Sequence, residues 1–583
     1  MAAVSCSNAV QDIEATKLAN FAVVGDSTLD FGTIVSGQIQ EKAITVENSG
    51  GGSGQILSVD SSALQAPFSF KGGAFPGTEG TCSLDQPLAQ SASCTMVVTF
   101  SPVESGTFNS EIRITYNNGT SSQEILFRFL GSSVSCDATT LPYGGGLGSA
   151  EDPFRICVAA QLLNVGLHPD RSFLVTSDLD LAGTPMTPLS SKTAQFTGIF
   201  DGGGHVIANV SIDSSYEDSG FFGFLAGATV RNLVLKDITA RVGQYGGGLA
   251  GRAVAGTKIS GVQVNGTVTS PSNYVGGLVG GLMGGSTISA SSTDGSVSGY
   301  SYVGGLVGQM NASSITGSHS TAAITGRQYI GGLVGLMEAG SSADHSYAEG
   351  TVQGRIDVGG FAGSVQSNSW IKSSQARGQV SGTGSSSTDL SVSVGGFVGH
   401  AAIATISLCS ATGDLATKWT QTVGGFVAET YSANISDSFA KGGIDVSGVA
   451  PDLLLSGAGG FVGTLDASWS GAPSTVTRAY AAGQLYMGER TGQIDGRNYI
   501  ESVTCTDPAA QRCGGFAAYA AAPSQVTLSY WDTTQSDGIG TSVSAAGEGH
   551  DQTWFMYPEN FDGWNTYGWI LAAGTYPQLP ALP

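Results

Sequence analysis

The chain has 583 residues, of which 87 are glycine and only 12% are charged, and its net charge is −22. A chain this acidic is not expected to bind nucleic acid or to dock by charge on anionic lipid, because both need clustered lysine and arginine. Collagen is excluded because no Gly-X-Y period occurs, and a helical bundle is disfavoured because glycine destabilises helices. The composition therefore predicts an all-β fold in which glycine occupies fixed positions.

The N-terminal tail is assigned to residues 1–17. Its first six residues, which end at Cys6, are too short for a secretory signal. The Ala-Val-Ser-Cys sequence resembles a degenerate bacterial lipobox, whose cysteine becomes the lipidated first residue of a mature lipoprotein. The resemblance makes Cys6 a candidate lipidation site, and the alternative is an unmodified cysteine in a frayed tail.

Residues 18–135 are predicted to form a β-sandwich of short strands. Apolar and polar residues alternate around Ile44 and Val98, as expected where one face of a strand is buried. The segments 29–37 and 42–50 are expected to form a strand pair that turns at glycine.

The same segment resembles the Ig-like modules of the ASPM/Hydin and choice-of-anchor type. It shares their Phe-Gly opening at Phe31, the Asn-Ser-Gly turn at Asn48, a cysteine pair, and the Phe-x-Pro and Gly-x-Phe words before the last strands. The resemblance implies a spacer or docking platform that has no catalysis of its own.

The cysteines indicate the cellular compartment in which the protein resides. Six of the eight lie close to a partner along the chain, and none has the spacing of a zinc site. Short-range pairing predicts three disulfides and therefore an exported protein. The pairs are Cys82 with Cys94, Cys136 with Cys157, and Cys505 with Cys513, which leaves Cys6 and Cys409 over.

From residue 219 onward the chain repeats a five-residue word of the form Gly-Gly-Leu-Val-Gly. Its ten copies recur at a base period near 28 residues, which indicates a solenoid. Two further short strands follow each word, so each unit is predicted to be one coil of a right-handed parallel β-helix of about ten coils. The residue after each Gly-Gly is expected to stack as an interior ladder. The words begin at Ser219, Gly247, Gly276, Gly304, Gly331, Gly359, Gly395, Gly424, Gly459 and Gly514.

The repeated word is that of the GLUG motif, and the chain from residue 136 to 583 resembles the GLUG β-helix family. Family-like words, such as Phe-Asp-Gly-Gly-Gly-His before the repeats and Tyr-Trp-Asp after them, carry the resemblance. It implies a bacterial surface protein, most often an adhesin or large exoprotein, in which this domain is an extracellular rod. The expected parts are an N-terminal cap at 136–218, repeats at 219–525 and a C-terminal cap at 526–583.

Four tyrosines precede four consecutive glycine words by two residues, which places their rings in one column. If exposed, such a column could stack on sugar rings or anchor a protein partner. The alternative is an aromatic ladder that only stabilises the stack. The candidates are Tyr245, Tyr274, Tyr302 and Tyr329.

The regular period breaks at three inserts, of which the longest spans 485–513. Long loops on a rigid scaffold often carry recognition, so Arg490, Arg497 and Tyr499 are further candidate ligand-binding residues. The alternative is an insertion that the side of the solenoid tolerates.

Catalysis is weighed because parallel β-helices include polysaccharide lyases and glycoside hydrolases. Asp178, Asp180 and Asp201 are the obvious carboxylates. Their surroundings are those of turns and caps, and Asp-Gly is a common turn dipeptide. The six histidines show no metal-binding spacing, and no nucleophile elbow with a triad is found. The sequence predicts no catalytic residue, no metal and no cofactor.

These features together predict a non-enzymatic bacterial surface protein, extracellular or associated with the outer membrane, that binds a surface glycan or a protein receptor. One alternative is a structural spacer or surface-array subunit that self-associates. The other is a polysaccharide-active β-helix enzyme. Contact with a membrane is expected only through a lipid at Cys6.

Overall fold

In the computed structural model the chain forms two compact units, which divide near residue 146, with residues 155–157 belonging to the first. The helices of the described residues are short, and none is long and apolar enough to cross a membrane. They are the α-helices Ala159–Leu162 and Gln552–Phe555 and the 3₁₀-helices Val165–Leu167, Pro558–Phe561 and Trp564–Tyr567. The structure describes residues 18–384, 391–418, 420–446, 457–466, 472–486, 489–494, 497–502, 513–534, 548–561, 563–567 and 569–580, with the backbone alone for 418, 489–494, 497–502, 513 and 566–567.

The first unit is a sandwich of two four-stranded sheets. Its strands are β1 Phe21–Val23, β2 Thr28–Val35, β3 Gln40–Asn48, β4 Gln55–Asp60, β5 Phe68–Phe70, β6 Ser93–Phe100, β7 Gly106–Asn117 and β8 Ser122–Val134. One sheet has the order β1-β3-β6-β5, and the other has the order β2-β8-β7-β4. Ile44, Val98 and Ile114 are at most 2% exposed and lie in one core that both sheets share. The predicted sandwich is confirmed.

The predicted strand pair of segments 29–37 and 42–50 is wrong. Strand β2 pairs in parallel with β8, whereas β3 pairs antiparallel with β6 in the other sheet. The chain crosses between the sheets at Gly37, whose amide donates to the Pro102 carbonyl at 2.7 Å. Crossing places Phe31 and Ile44 on opposite walls of the core, whereas a hairpin would have kept both on one sheet.

Two of the predicted disulfides, Cys82–Cys94 and Cys136–Cys157, are formed. Cys505 lies outside the described residues, as does Cys6, so the third disulfide and the lipidation site stay predictions. The thiol of Cys409 is fully buried, and this burial raises its pKa.

The second unit is a parallel β-helix, as predicted. Its sheet A holds the strands that lead into each glycine word, and its sheet B holds the strands that leave it, with ten strands in each sheet. Sheet A consists of Asp218–Ser219, Tyr245–Gly247, Asn273–Gly276, Ser301–Gly304, Gln328–Gly331, Ile356–Gly359, Ser391–Gly395, Thr420–Gly424, Gly457–Gly459 and Cys513–Gly514. Sheet B consists of Phe222–Ala226, Ala250–Val254, Val279–Met283, Val307–Asn311, Val334–Glu338, Ala362–Gln366, Val398–Ala402, Val427–Tyr431, Val462–Asp466 and Ala517–Ala520.

Sheet C holds the parallel strands that follow sheet B in each coil, together with those that precede the repeats. The longest insert forms an antiparallel hairpin of Glu489–Ile494 and Arg497–Ser502. A further short strand, Phe154–Ile156, precedes the strands of sheet C along the chain. The strands of sheet C are Phe173–Val175, Leu179–Asp180, Pro185–Met186, Ile199–Asp201, Val206–Ala208, Ser211–Asp213, Thr229–Arg241, Lys258–Thr269, Thr287–Ser289, Ser292–Ser298, Ser314–Thr316, His319–Ser320, Ala323–Thr325, Ser342–Asp344, Tyr347–Ala348, Val352–Gly354, Trp370–Lys372, Gln375–Ala376, Val380–Thr383, Thr405–Ser407, Ser410–Ala411, Leu415–Lys418, Asn434–Ala440, Ile444–Asp445, Thr475–Ala481, Leu485–Tyr486, Gln525–Thr527, Tyr530–Asp532 and Glu548–His550.

The glycine word forms the corner between sheets A and B. The residue after each Gly-Gly is fully buried, and the phenylalanines at this position stack with ring centroids 4.7–4.9 Å apart, which confirms the interior ladder. The last glycine of the word allows a close approach of two strands. A Cβ on Gly335 would lie 2.7 Å from the Tyr302 carbonyl carbon in the preceding coil, so a larger residue would require the backbone to shift.

Aromatic residues of the C-terminal segment pack against the last coils at Phe439, Tyr480 and Tyr530. Asp437, which is 5% exposed, anchors this contact. It accepts from Arg478 Nε at 2.6 Å and from Trp569 Nε1 at 3.2 Å.

Candidate functional site

The four predicted tyrosines form a continuous stack on sheet A. Their ring centroids are 4.5, 4.6 and 4.8 Å apart, and adjacent rings lie within 12° of parallel. The rings are half-buried, and burial raises the pKa of Tyr245, Tyr302 and Tyr329. Because each ring covers its neighbour, no sugar ring can stack on a face inside the column. Ring edges and hydroxyls are the surfaces left for contact.

An aspartate stands at each end of this column. Asp218 pairs in register with Tyr245, and the register of the next strand pair puts Asp357 after Tyr329. Tyr329 and Asp357 have φ angles of 56° and 51°, so Asp357 continues the backbone geometry of the tyrosines. The column therefore runs from one carboxylate to another with four aromatic rings between them.

A second column, on sheet B, faces the first. A Cβ on Gly281 would lie 3.0 Å from the Tyr245 ring, and Thr422 donates to Glu429 at 3.1 Å. We call the two facing columns the seam. Its sheet A column is Asp218, Tyr245, Tyr274, Tyr302, Tyr329, Asp357, Ser393 and Thr422, and its sheet B column is Phe224, Arg252, Gly281, Gln309, Leu336, Ser364, His400 and Glu429.

At the first end of the seam an arginine neutralises the carboxylates. Arg252 donates through its Nε and terminal nitrogen to Asp218, and through the latter to Glu217 at 3.0 Å. Its guanidinium carbon also lies 4.4 Å from the centroid of the Tyr245 ring and 5.2 Å from that of Phe224. The Asp218 side chain is 4% exposed, so this ion pair is well shielded from water.

At the second end two carboxyls lie within electrostatic range of each other. Burial, with a further contribution from Glu429, raises the pKa of Asp357 to about 7. Burial also raises the pKa of Glu429. Ser393 is fully buried, and its hydroxyl lies near enough to both carboxyls to lower their pKa values, although no contact of this oxygen reaches hydrogen-bond geometry. Part of this pair is therefore protonated near neutral pH.

His400 lies next to the carboxyls. Its preceding residue, Gly399, packs on the backbone of Asp357, and its ring centroid is 5.3 Å from that of Tyr431. Burial lowers the pKa of His400 to about 4, so the ring is neutral at pH 7. The Ser364 oxygen is 3.2 Å from His400 Nδ1, but Ser364 is fully buried and cannot meet a substrate as a nucleophile.

Asp357, His400 and Glu429 were not among the candidate residues predicted from the sequence. A signal for them was present, because alignment on the glycine words puts Asp357 two residues before the sixth word. The same alignment puts His400 and Glu429 at the fifth residue after the seventh and eighth words begin. Asp357 follows four coils with tyrosine at its position, and His400 and Glu429 follow four coils with uncharged residues at theirs, so all three depart from the preceding repeats.

The carboxylates weighed for catalysis make contacts of the kind found in turns. Asp178 accepts from the Val206 amide at 3.0 Å, and Asp180 accepts from Asn209 at 2.7 Å. Asp201 accepts from Arg231 Nε at 2.7 Å. Among the described residues no group of three or more His, Cys, Asp or Glu side chains could hold a metal ion.

The insert residues Arg490, Arg497 and Tyr499 lie on the antiparallel hairpin of the longest insert. Tyr499 pairs in register with Gly492, and Arg497 pairs with Ile494. The structure describes only the backbone of these residues, so their role in ligand binding stays a prediction.

The sandwich and the repeats each match a family model. Residues 24–131 match the HYDIN/CFA65/VesB-like, Ig-like domain, and residues 299–325 match the GLUG motif. Both predicted resemblances are confirmed. Halomucin from Haloquadratum walsbyi is 29% identical to this chain over 188 residues, which cover 29% of this chain and 2% of halomucin. The chain therefore matches only a small part of that relative.

Solved structures with partial similarity include a Bacteroides ovatus protein described as an immunoglobulin A1 protease. It is 22% identical, with a TM-score of 0.35, over 47% of this chain and 80% of that one. The Vibrio cholerae VesB protease is 15% identical, with a TM-score of 0.17, over 21% of this chain and 34% of its own. The Ig-like and GLUG matches and the two disulfides fit a protein at the cell surface or outside the cell.

Proposed function

We propose that this chain is a non-enzymatic recognition protein of the cell surface, whose β-helix presents the seam to a surface protein or glycan. The observation that carries the proposal is the departure of the seam from its own repeat. Four coils repeat a tyrosine at one position, the next coil replaces it with the half-buried Asp357, and the facing column carries the half-buried His400 and Glu429 in the two coils after that. In a repeat protein the coils that break the local rule are the expected functional ones.

The chemistry of the described residues supports recognition over catalysis. Asp178, Asp180 and Asp201 are held by turn and inter-strand hydrogen bonds, and Ser364 beside His400 is shut off from solvent. The tyrosine column offers hydroxyls and ring edges, which contact proteins and sugars equally well.

The test is binding of the labelled full chain to whole cells, a glycan array and a protein array. The double variant Tyr274→Phe, Tyr302→Phe removes two hydroxyls and keeps the ring stack. We expect weaker binding with an unchanged melting temperature. The matched control is Tyr347→Phe, a tyrosine stacked with His319 on sheet C. Unchanged affinity in the seam variant would remove the column as a contact surface.

A spacer that self-associates is the second candidate, and the closed tyrosine stack favours it. Rings that cover each other's faces stiffen a rod without offering those faces to a ligand. Self-association at micromolar concentration in sedimentation equilibrium, with no ligand on either array, would favour this function. A lipid anchor at Cys6 and attachment to the outer membrane belong to the proposal as well, and a diacylglyceryl mass on the native protein would establish the anchor.

A further inference from the structure

The two ends of the seam differ in a way that points to a ligand. At the first end, Asp218 beside Tyr245 is neutralised by Arg252, which stands one coil further on in the sheet B column. At the second end, Asp357 stands beside Tyr329, and the position one coil further on is His400. The register that places an arginine next to the carboxylate at the first end places a histidine, whose ring is neutral, next to the carboxylate at the second end.

The groups at the second end lack a cation. Among the residues that the structure describes, neither Asp357 nor Glu429 forms an ion pair, and both keep part of their surface in contact with water. The Ser393 hydroxyl lies near both carboxyls, is fully buried, and makes no hydrogen bond of good geometry. Half-buried carboxyls without a counter-charge are unfavourable, and a bound cation would relieve that cost.

Besides Ser393, Thr422 and His400, the described groups that interact electrostatically with these carboxyls are aromatic or acidic. Tyr329 and Tyr431 lie within electrostatic range of Asp357, and Asp466 lies within range of Glu429. Aromatic rings beside carboxylates make the surroundings that a guanidinium prefers, since it stacks on rings and donates along its edge. Arg252 is held in this way at the first end, by Asp218, Glu217 and two aromatic rings.

We propose that the second end of the seam binds the guanidinium of an arginine side chain presented by a partner protein. The guanidinium acts as Arg252 does at the first end: it donates to the carboxylates of Asp357 and Glu429 and lies against the Tyr329 ring. The inference rests on the proposed recognition function and narrows its partner to a protein that displays arginine. The net charge of −22 favours encounter with a basic partner.

The direct test titrates the full chain with a capped tripeptide, acetyl-Gly-Arg-Gly-amide, by calorimetry at pH 7.5. A citrulline peptide of the same shape carries no charge and should bind at least about tenfold more weakly. A lysine peptide should fall between them, because an ammonium cannot donate along a planar edge. Asp357→Asn and Glu429→Gln should each weaken binding of the arginine peptide by about tenfold or more.

A gain-of-charge variant makes the test independent of damage to the fold. By the register of Arg252, the arginine introduced in His400→Arg should reach the aspartate. It should therefore fill the site, prevent binding of the peptide and raise the stability of the fold at pH 8. The matched control is Glu338→Gln. Glu338 is another half-buried carboxylate on sheet B, but it already accepts from Gln309 at 2.8 Å and Asn311 at 3.1 Å. We expect this control to keep the affinity of the wild type within about twofold.

Equal binding of the arginine and citrulline peptides would overturn the inference, as would full affinity in Asp357→Asn or His400→Arg. Failure of the inference and failure of the proposed function are distinguishable. If whole cells bind the wild type and Asp357→Asn equally while the arginine peptide does not bind, recognition stands and the guanidinium site falls. If neither cells nor peptide bind the wild type, both fall.

Discussion

Replacing Asp357 by asparagine should stabilise the β-helix at pH 8 and leave its stability nearly unchanged near pH 4. The pKa of Asp357 rises from 3.8 in an unstructured chain to about 7 in the fold. Between these pH values the folded chain holds a proton that the unfolded chain has released, so stability falls as the pH rises. At ~1.4 kcal/mol for each pH unit of this interval, the carboxyl costs roughly 4 kcal/mol by pH 8. Asparagine does not titrate and avoids that loss.

His400 contributes with the opposite sign. Its pKa falls from 6.5 in an unstructured chain to about 4 in the fold, so the unfolded chain takes up a proton first as the pH drops. Stability from this residue is therefore lost as the pH falls from 6.5 to 4. In the wild type the slopes from Asp357 and His400 oppose each other over this range and nearly cancel. In Asp357→Asn the His400 slope is unopposed, so stability should rise with pH by roughly 3 kcal/mol.

The assay is urea denaturation at pH 4, 5, 6.5 and 8, followed by circular dichroism. Glu349→Gln is the control, because Glu349 is an exposed carboxylate that pairs with Arg377 on the surface. It should shift the denaturation midpoint little and equally at every pH. The reasoning is refuted if Asp357→Asn is no more stable than the wild type at pH 8, or if the difference between them does not change with pH.

Substitutions at three further positions, Tyr302, Arg478 and Gly335, test the packing of the β-helix. Tyr302→Ala removes a central ring and should lower the free energy of unfolding by about 2–4 kcal/mol, while Tyr302→Phe should change it little, as measured by thermal melts. Arg478→Ala leaves Asp437 with an uncompensated buried charge and should cost about 3–5 kcal/mol; tryptophan fluorescence of the C-terminal segment should change before the circular dichroism does. Gly335→Ala should destabilise by about 1–3 kcal/mol in denaturant titration, because its Cβ meets backbone that must shift, whereas Gly106→Ala, whose nearest new contact is 3.5 Å, should be nearly silent.

Much of the fold follows from the sequence because the glycine word repeats in register. The offset of the tyrosines from the word was enough to predict their column, and the position after Gly-Gly predicted the phenylalanine ladder. In the sandwich, alternation predicted which residues face the core, such as Ile44. It did not predict the partner of β2, because a glycine turn between two strands is compatible with a hairpin and with a crossing between sheets.

The chemistry of the seam was harder to predict than its position. That the tyrosine faces cover each other depends on side-chain conformation, which an offset in sequence does not specify. The pairing of Asp218 with Arg252 joins residues 34 positions apart on two sheets, and it becomes visible only when the corner at the glycine word is known. The raised pKa of Asp357 comes from burial, which its sequence neighbours do not reveal.

Binding of the fluorescent full chain to whole cells at pH 7.4 should depend on the second end of the seam, and comparing the wild type with the double variant Asp357→Asn, Glu429→Gln measures that dependence. We expect saturable binding by the wild type and binding at least about tenfold weaker by the double variant, with both proteins folded. Equal saturable binding by the two proteins would show that recognition does not use this site, and no saturable binding by the wild type would refute recognition itself.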